Sequence, residues 1–108
     1  MTARQFHDGR ILRLEPGEVF VFGSNERGLH GAGAAALAKQ RFGAEWGVGE
    51  GPTGRCYALP TKDMAIRTLP LAEIEHYAAR FVAHATSQPG TRFLLTAVGC
   101  GLAGYTPA

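Results

Sequence analysis

The side chains of this 108-residue chain that could do chemistry gather at two glycine-rich stretches. In the first, Gly23-Ser24-Asn25 ends an apolar run and leads through Gly28, His30, Gly31, Ala32 and Gly33 into an alanine-rich segment. In the second, Gly99-Cys100-Gly101-Leu102-Ala103-Gly104-Tyr105 follows the apolar run Phe93–Val98. Asn25 carries an amide able to hold a sugar hydroxyl, and His30 an imidazole able to carry a proton near neutral pH. Bare glycine backbone can press against a diphosphate, and a helix opening from it adds unpaired N–H groups and the positive end of its dipole. Lys62, within Thr61-Lys62-Asp63, is a cation for a phosphate, and Glu26, Asp63 and Cys100 complete the reactive groups. Cleaving a glycosidic bond would require such groups to position water and stabilise charge developing on the sugar.

Each candidate has a plainer role beside the chemical one. His30 can tie its loop together, Lys62 can be a solvated surface residue, and Gly31 and Gly33 can simply bring a helix close to a sheet. Cys100 at a strand-to-helix turn could gain thiolate character. Its surroundings are not G-x-S-x-G, however, so a small residue filling a tight loop is the better reading.

The spacing from Gly28 is G-x-x-G-x-G, which is neither the dinucleotide fingerprint nor the P-loop, because no Gly-Lys-Ser/Thr follows Gly33. Cys56 and Cys100 belong to no C-x-x-C pair, so buried free thiols are expected and no metal or cofactor site is read. The formal charge of +2 is carried by scattered Lys and Arg, which disfavours a nucleic-acid partner while leaving small anions compatible. No apolar run approaches the roughly 20 residues that cross a bilayer, and residues 1–17 lack a signal-peptide core, so a cytoplasmic protein is expected.

The elements that must position these groups can be read in order. Residues 1–108 form one domain, with 1–10 a flexible lead-in. Ile11–Leu14 reads as a short edge strand, and Val19–Phe22 as a central parallel strand with both faces covered. Ala35, Ala38 and Phe42 share one face of a helix that Gly43 ends. Residues 43–54 read as a glycine-rich loop long enough to be functional. Arg55–Pro60 is a strand stopped by its proline, with Thr61-Lys62-Asp63 beyond its carboxyl end, the side on which ligands bind in open α/β sheets. From Pro70 to Thr86, Ile74, Tyr77, Ala78, Phe81, Val82 and Ala85 make an amphipathic helix, leaving His76 and His84 facing solvent. Phe93–Val98 is a further buried strand, placing the second glycine loop on the same rim as the first. Thr106-Pro107-Ala108 reads as the cap and first turn of a C-terminal helix that is apparently truncated.

Asn25 with the glycines and alanine-rich helix after it, Thr53–Pro60, and Gly101-Leu102-Ala103-Gly104-Tyr105 together resemble the macro domain family, in this order, over about residues 18–105. The chain is also similar to a set of small bacterial and phage proteins carrying Val-Phe-Gly-Ser-Asn, His-Gly-Ala-Gly-Ala-Ala, Tyr-Ala-Leu-Pro-Thr-Lys-Asp and Gly-Cys-Gly-Leu-Ala-Gly-Tyr. The macro resemblance implies an α/β three-layer sandwich with a mainly parallel (mixed) sheet. It also implies a pocket for ADP-ribose, with Asn25 near the distal ribose and the loop Gly99–Tyr105 around the diphosphate. Many macro hydrolases carry an aspartate just after the glycine run; here Ala34 or Ala35 stands in that place.

Two functions follow as expectations. One is binding of ADP-ribose or a related NAD-derived nucleotide by Gly23, Ser24, Asn25, Gly31, Ala32, Gly33, Lys62 and the second loop, with Asn25 and His30 as the catalytic pair if ADP-ribosyl hydrolysis accompanies it. The other is a non-catalytic, phage-related protein-interaction module whose glycine loops are structural. No oligomeric state is read from the sequence.

Overall fold

The computed structural model describes residues 13–31 and 33–95. Its centre is strand β1 (Glu18–Asn25), which lies between β3 (Cys56–Lys62) and β4 (Arg92–Leu95) and runs parallel to both. The short β2 (Gly51–Thr53) pairs antiparallel with β3, so the sheet is mixed, in the order β2-β3-β1-β4. Helices α1 (Gly33–Arg41) and α2 (Leu71–Thr86) are the helices among the described residues of this α/β domain.

Alternation along the central strand divides the apolar residues into two clusters. Phe20 and Phe22 pack with Cys56, Ala58 and Leu94 against Ala35, Ala38 and Phe42, and the Phe20 and Phe42 rings lie 5.0 Å apart. Val21, Tyr57, Leu59 and Phe93 pack against Phe81, with Tyr77 and Ala85 of α2 at the margin. Phe81 sits edge-on to both Tyr57 and Phe93, at 5.0 and 5.3 Å. Val21 and Phe22 are wholly buried, as a central strand covered on both sides requires.

The α1 face follows the spacing of Ala35, Ala38 and Phe42, all buried. Its end is turned by Gly43, whose φ of +81° is the left-handed conformation glycine adopts at helix ends, and the Ala44 N–H donates back to the Ala38 carbonyl. The glycine-rich region 43–54 is not all loop. It closes in β2 and a turn at Gly54-Arg55 that returns the chain into β3.

Three expectations need correction. Pro60 does not stop its strand; β3 continues to Lys62. Proline is tolerated because β2 pairs only with Cys56, Tyr57 and Ala58, so beyond Ala58 no β2 residue awaits an N–H. Arg13 and Leu14 are not strand; Leu14 instead tucks into the α1 cluster. His84 is half-buried, its ring 5.2 Å from Tyr57 and 5.9 Å from Phe93, whereas His76 is exposed as expected. The buried stripe of α2 is rotated towards His84, which leaves Val82 53% exposed.

Ile11 and Leu12, the lead-in 1–10, Ala32, the loop Gly99–Tyr105 and the C-terminal helix start at Thr106 lie outside the described residues. Among the described residues no helix is long and apolar enough to cross a membrane.

Candidate functional site

Parallel pairing brings the carboxyl ends of β1 and β3 to one rim, where Asn25 and Lys62 are register partners. The pairing skips a residue between Ser24 and Asn25, and the Glu26 N–H then donates to the Lys62 carbonyl at 2.9 Å. Two residues far apart in sequence therefore share the edge at which open α/β sheets take ligands. The Asn25 amide holds its own loop: Nδ2 donates to the Leu29 carbonyl at 2.8 Å, and Oδ1 accepts from the Leu29 N–H at 3.0 Å. One amide N–H and one lone pair of Oδ1 remain beyond these two bonds.

The Asn25 loop is locked from below by residues 45–50. The Gly47 N–H donates to the Gly28 carbonyl at 2.8 Å, and Ser24 Oγ donates to the Gly49 carbonyl. A Cβ on Gly28, whose φ is +75°, would lie 2.6 Å from the Gly47 carbonyl oxygen, and one on Gly49 would lie 2.5 Å from that of Asn25. These two glycines are required by backbone packing on backbone.

Gly31 behaves differently. It is exposed, and a Cβ there would meet nothing within 4 Å among the described residues. Gly33, also exposed, has a φ of +58° and begins α1. Close packing of α1 on the sheet is the work of Ala35 and Ala38, so neither glycine is needed for that approach.

Both loops are fastened to α2 by side chains that the sequence did not single out. Tyr77 donates to the Glu26 carboxylate at 2.5 Å, and Arg80 grips Glu50 through two bonds of 2.7 and 3.0 Å. The Glu26 hydrogen bond, helped by burial and nearby carboxylates, pushes the Tyr77 phenol up to about 12. Glu50 likewise raises the Arg80 guanidinium above its ordinary value. No local spacing relates Glu26 to Tyr77 or Glu50 to Arg80, and only the packing of α2 on β3 unites them.

Among the sequence-selected residues, Asn25, Lys62, Gly31 and Gly33 stand at or just beyond the rim. Gly23 lies within β1 opposite Leu59, and Ser24 is 4% exposed, turned inward to Gly49 and Thr61, so both support the rim from beneath. His30 is 2% exposed. Its Nε2 bonds the Glu45 carbonyl at 2.9 Å, which makes Nε2 the protonated nitrogen, and its buried Nδ1 has no partner among the described residues. A proton carrier needs a nitrogen in contact with the reacting group, and His30 exposes neither in this conformation. Cys56 donates to the Phe42 carbonyl at 3.6 Å, and burial pushes its thiol up to about 12, so it is an inert core thiol.

Gly99, Cys100, Gly101, Leu102, Ala103, Gly104 and Tyr105 lie outside the described residues, but β4, which precedes them, runs parallel to β1. Beside the rim stands Trp46, which no motif marked, 55% exposed in the loop that braces Asn25. A tryptophan set among glycines was the available signal. Comparison with protein-family models, with curated proteins and with solved structures finds no match to this chain.

Proposed function

We propose that the rim carrying Asn25, Lys62 and the start of α1 binds a nucleotide diphosphate of the ADP-ribose class, in a three-layer, macro domain-like arrangement. The single observation that carries this reading is the contrast among the glycines. Gly28 and Gly49 are fixed by packing, whereas a Cβ on Gly31, at the entrance to α1, meets nothing within 4 Å among the described residues. No described residue opposes a side chain there, and an anion seated against backbone N–H groups is a reason to omit one. Lys62 offers the cation, and the unused half of the Asn25 amide offers a donor and an acceptor for a sugar hydroxyl. Hydrolysis would need a base, and Glu26, next to Asn25 and oriented by Tyr77, is a carboxylate beside the rim, whereas Asp63, next to Lys62, has Oδ1 turned to the Ala65 and Arg67 N–H groups.

The test is calorimetric titration with ADP-ribose beside ADP, AMP and ribose 5-phosphate, on the wild type and Gly31→Val. The Cβ of valine at position 31 meets no described residue within 4 Å, so the fold should persist while the seat for the phosphates is filled. Saturable binding that prefers ADP-ribose and is lost in Gly31→Val supports the reading. Absence of heat from folded wild-type protein overturns it in favour of an interaction module with structural glycine loops.

A further inference from the structure

Trp46 has an exposed ring with a fixed setting. It meets buried His30 edge-on, with ring centroids 6.3 Å apart, and Lys39 Nζ stands over it 5.8 Å from the centroid. Its neighbour Gly47 donates to the Gly28 carbonyl, which joins the Trp46 loop to the Asn25 loop. His30 precedes the first turn of α1 and Lys39 lies near its end, so the indole has one neighbour just before that helix and one towards its far end. Gly33 to Lys39 spans roughly 9 Å of helix rise. A nucleoside diphosphate with its phosphates at the N-terminus of α1 covers that distance.

We infer that Trp46 is the stacking platform for the base of the bound nucleotide, with Lys39 holding the other face of the indole. This rests on the nucleotide-binding reading above and assigns the base a place within it. Any base has a flat face to stack, so the platform selects a nucleotide over a bare sugar phosphate without selecting one base. The flexible four-carbon stem of Lys39 lets its ammonium keep contact with the ring as a base arrives.

Trp46 is the single tryptophan of the chain, so its emission reports this site alone. The full chain is titrated with ADP-ribose, AMP and ribose 5-phosphate while tryptophan fluorescence and heat are followed together. Trp46→Leu and the plane-conserving Trp46→Phe are titrated by calorimetry, with circular dichroism to verify their folds. ADP-ribose and AMP should quench emission and ribose 5-phosphate should not. Trp46→Leu should bind ADP-ribose roughly 5- to 100-fold more weakly, and Trp46→Phe should recover most of the loss. Heat of ADP-ribose binding with unchanged emission, or equal affinity in folded Trp46→Leu, overturns the platform and leaves nucleotide binding standing. No heat with any ligand overturns both.

Discussion

Gly49→Ala and Gly31→Ala are the same chemical change with opposite expected signs. At Gly49 the new methyl would lie 2.5 Å from the Asn25 carbonyl oxygen and 2.9 Å from that of Glu26, both backbone atoms that cannot rotate aside. Relief requires the two loops to separate, and overpacking of this kind costs about 1–3 kcal/mol. Separation also strains the bond from buried Ser24 Oγ to the Gly49 carbonyl, worth about 1 kcal/mol. Reduced freedom of the unfolded chain returns ~0.4–1 kcal/mol, leaving a net loss of about 1–3 kcal/mol. In a domain of this size the melting temperature should fall by roughly 5–20 °C. At Gly31 the methyl meets no described residue and φ lies outside the left-handed region, so only the unfolded-state term acts and stability should rise by ~0.4–1 kcal/mol. Thermal and urea denaturation followed by circular dichroism measure both. Equal stability of Gly49→Ala and wild type, or equal losses in the two variants, would refute the division of the glycines into structural and open.

Phe22→Ala, at a wholly buried position of β1, should cost about 3–5 kcal/mol, a large share of the ~5–15 kcal/mol that holds a typical domain, and a urea titration should show the loss. Stability should fall at alkaline pH. The folded state keeps the Tyr77 proton to about pH 12, whereas the unfolded chain releases it near 10, so the contribution is whole below pH 10 and is lost as pH rises through 12. Buried Cys56, raised from 9.0 to about 12, acts with the same sign, so Tyr77→Phe should flatten the alkaline decline in part, and an unchanged slope would contradict the Glu26–Tyr77 bond. In a Cys100→Ala background, Cys56 should react with a thiol reagent at pH 8 only after denaturant is added, and rapid labelling of native protein would contradict its burial.

Much of the architecture is legible in local patterns. The run Val19–Phe22 marks the central strand because both faces of it must be apolar, and Ala35, Ala38 and Phe42 mark the face of α1 through helical spacing. Residues whose state depends on distant partners are not legible in this way. Gly51-Pro52-Thr53 has poor strand propensity and is a strand only because β3 pairs with it. Pro60 reads as a stop until the edge it occupies is known. His84 reads as polar and exposed until Tyr57 and Phe93 are seen against it.

At the rim, the sequence marks Asn25 and Lys62 as polar residues at strand ends, and parallel register makes them neighbours. The glycines of the two loops look alike in sequence. Only packing separates Gly28 and Gly49, pressed on backbone, from Gly31, where a Cβ meets no described residue within 4 Å. The braces from Tyr77 to Glu26 and from Arg80 to Glu50 leave no trace in local spacing, since each joins α2 to a loop far upstream.

The most direct measurement is the calorimetric titration of ADP-ribose into wild-type protein and Gly31→Val side by side. Saturable binding to the wild type, lost in a Gly31→Val variant whose melting temperature is no lower than that of the wild type, is the expected result. Binding of equal strength to both proteins would contradict an anion seat at the entrance to α1, and no binding to folded wild type would contradict the nucleotide reading itself.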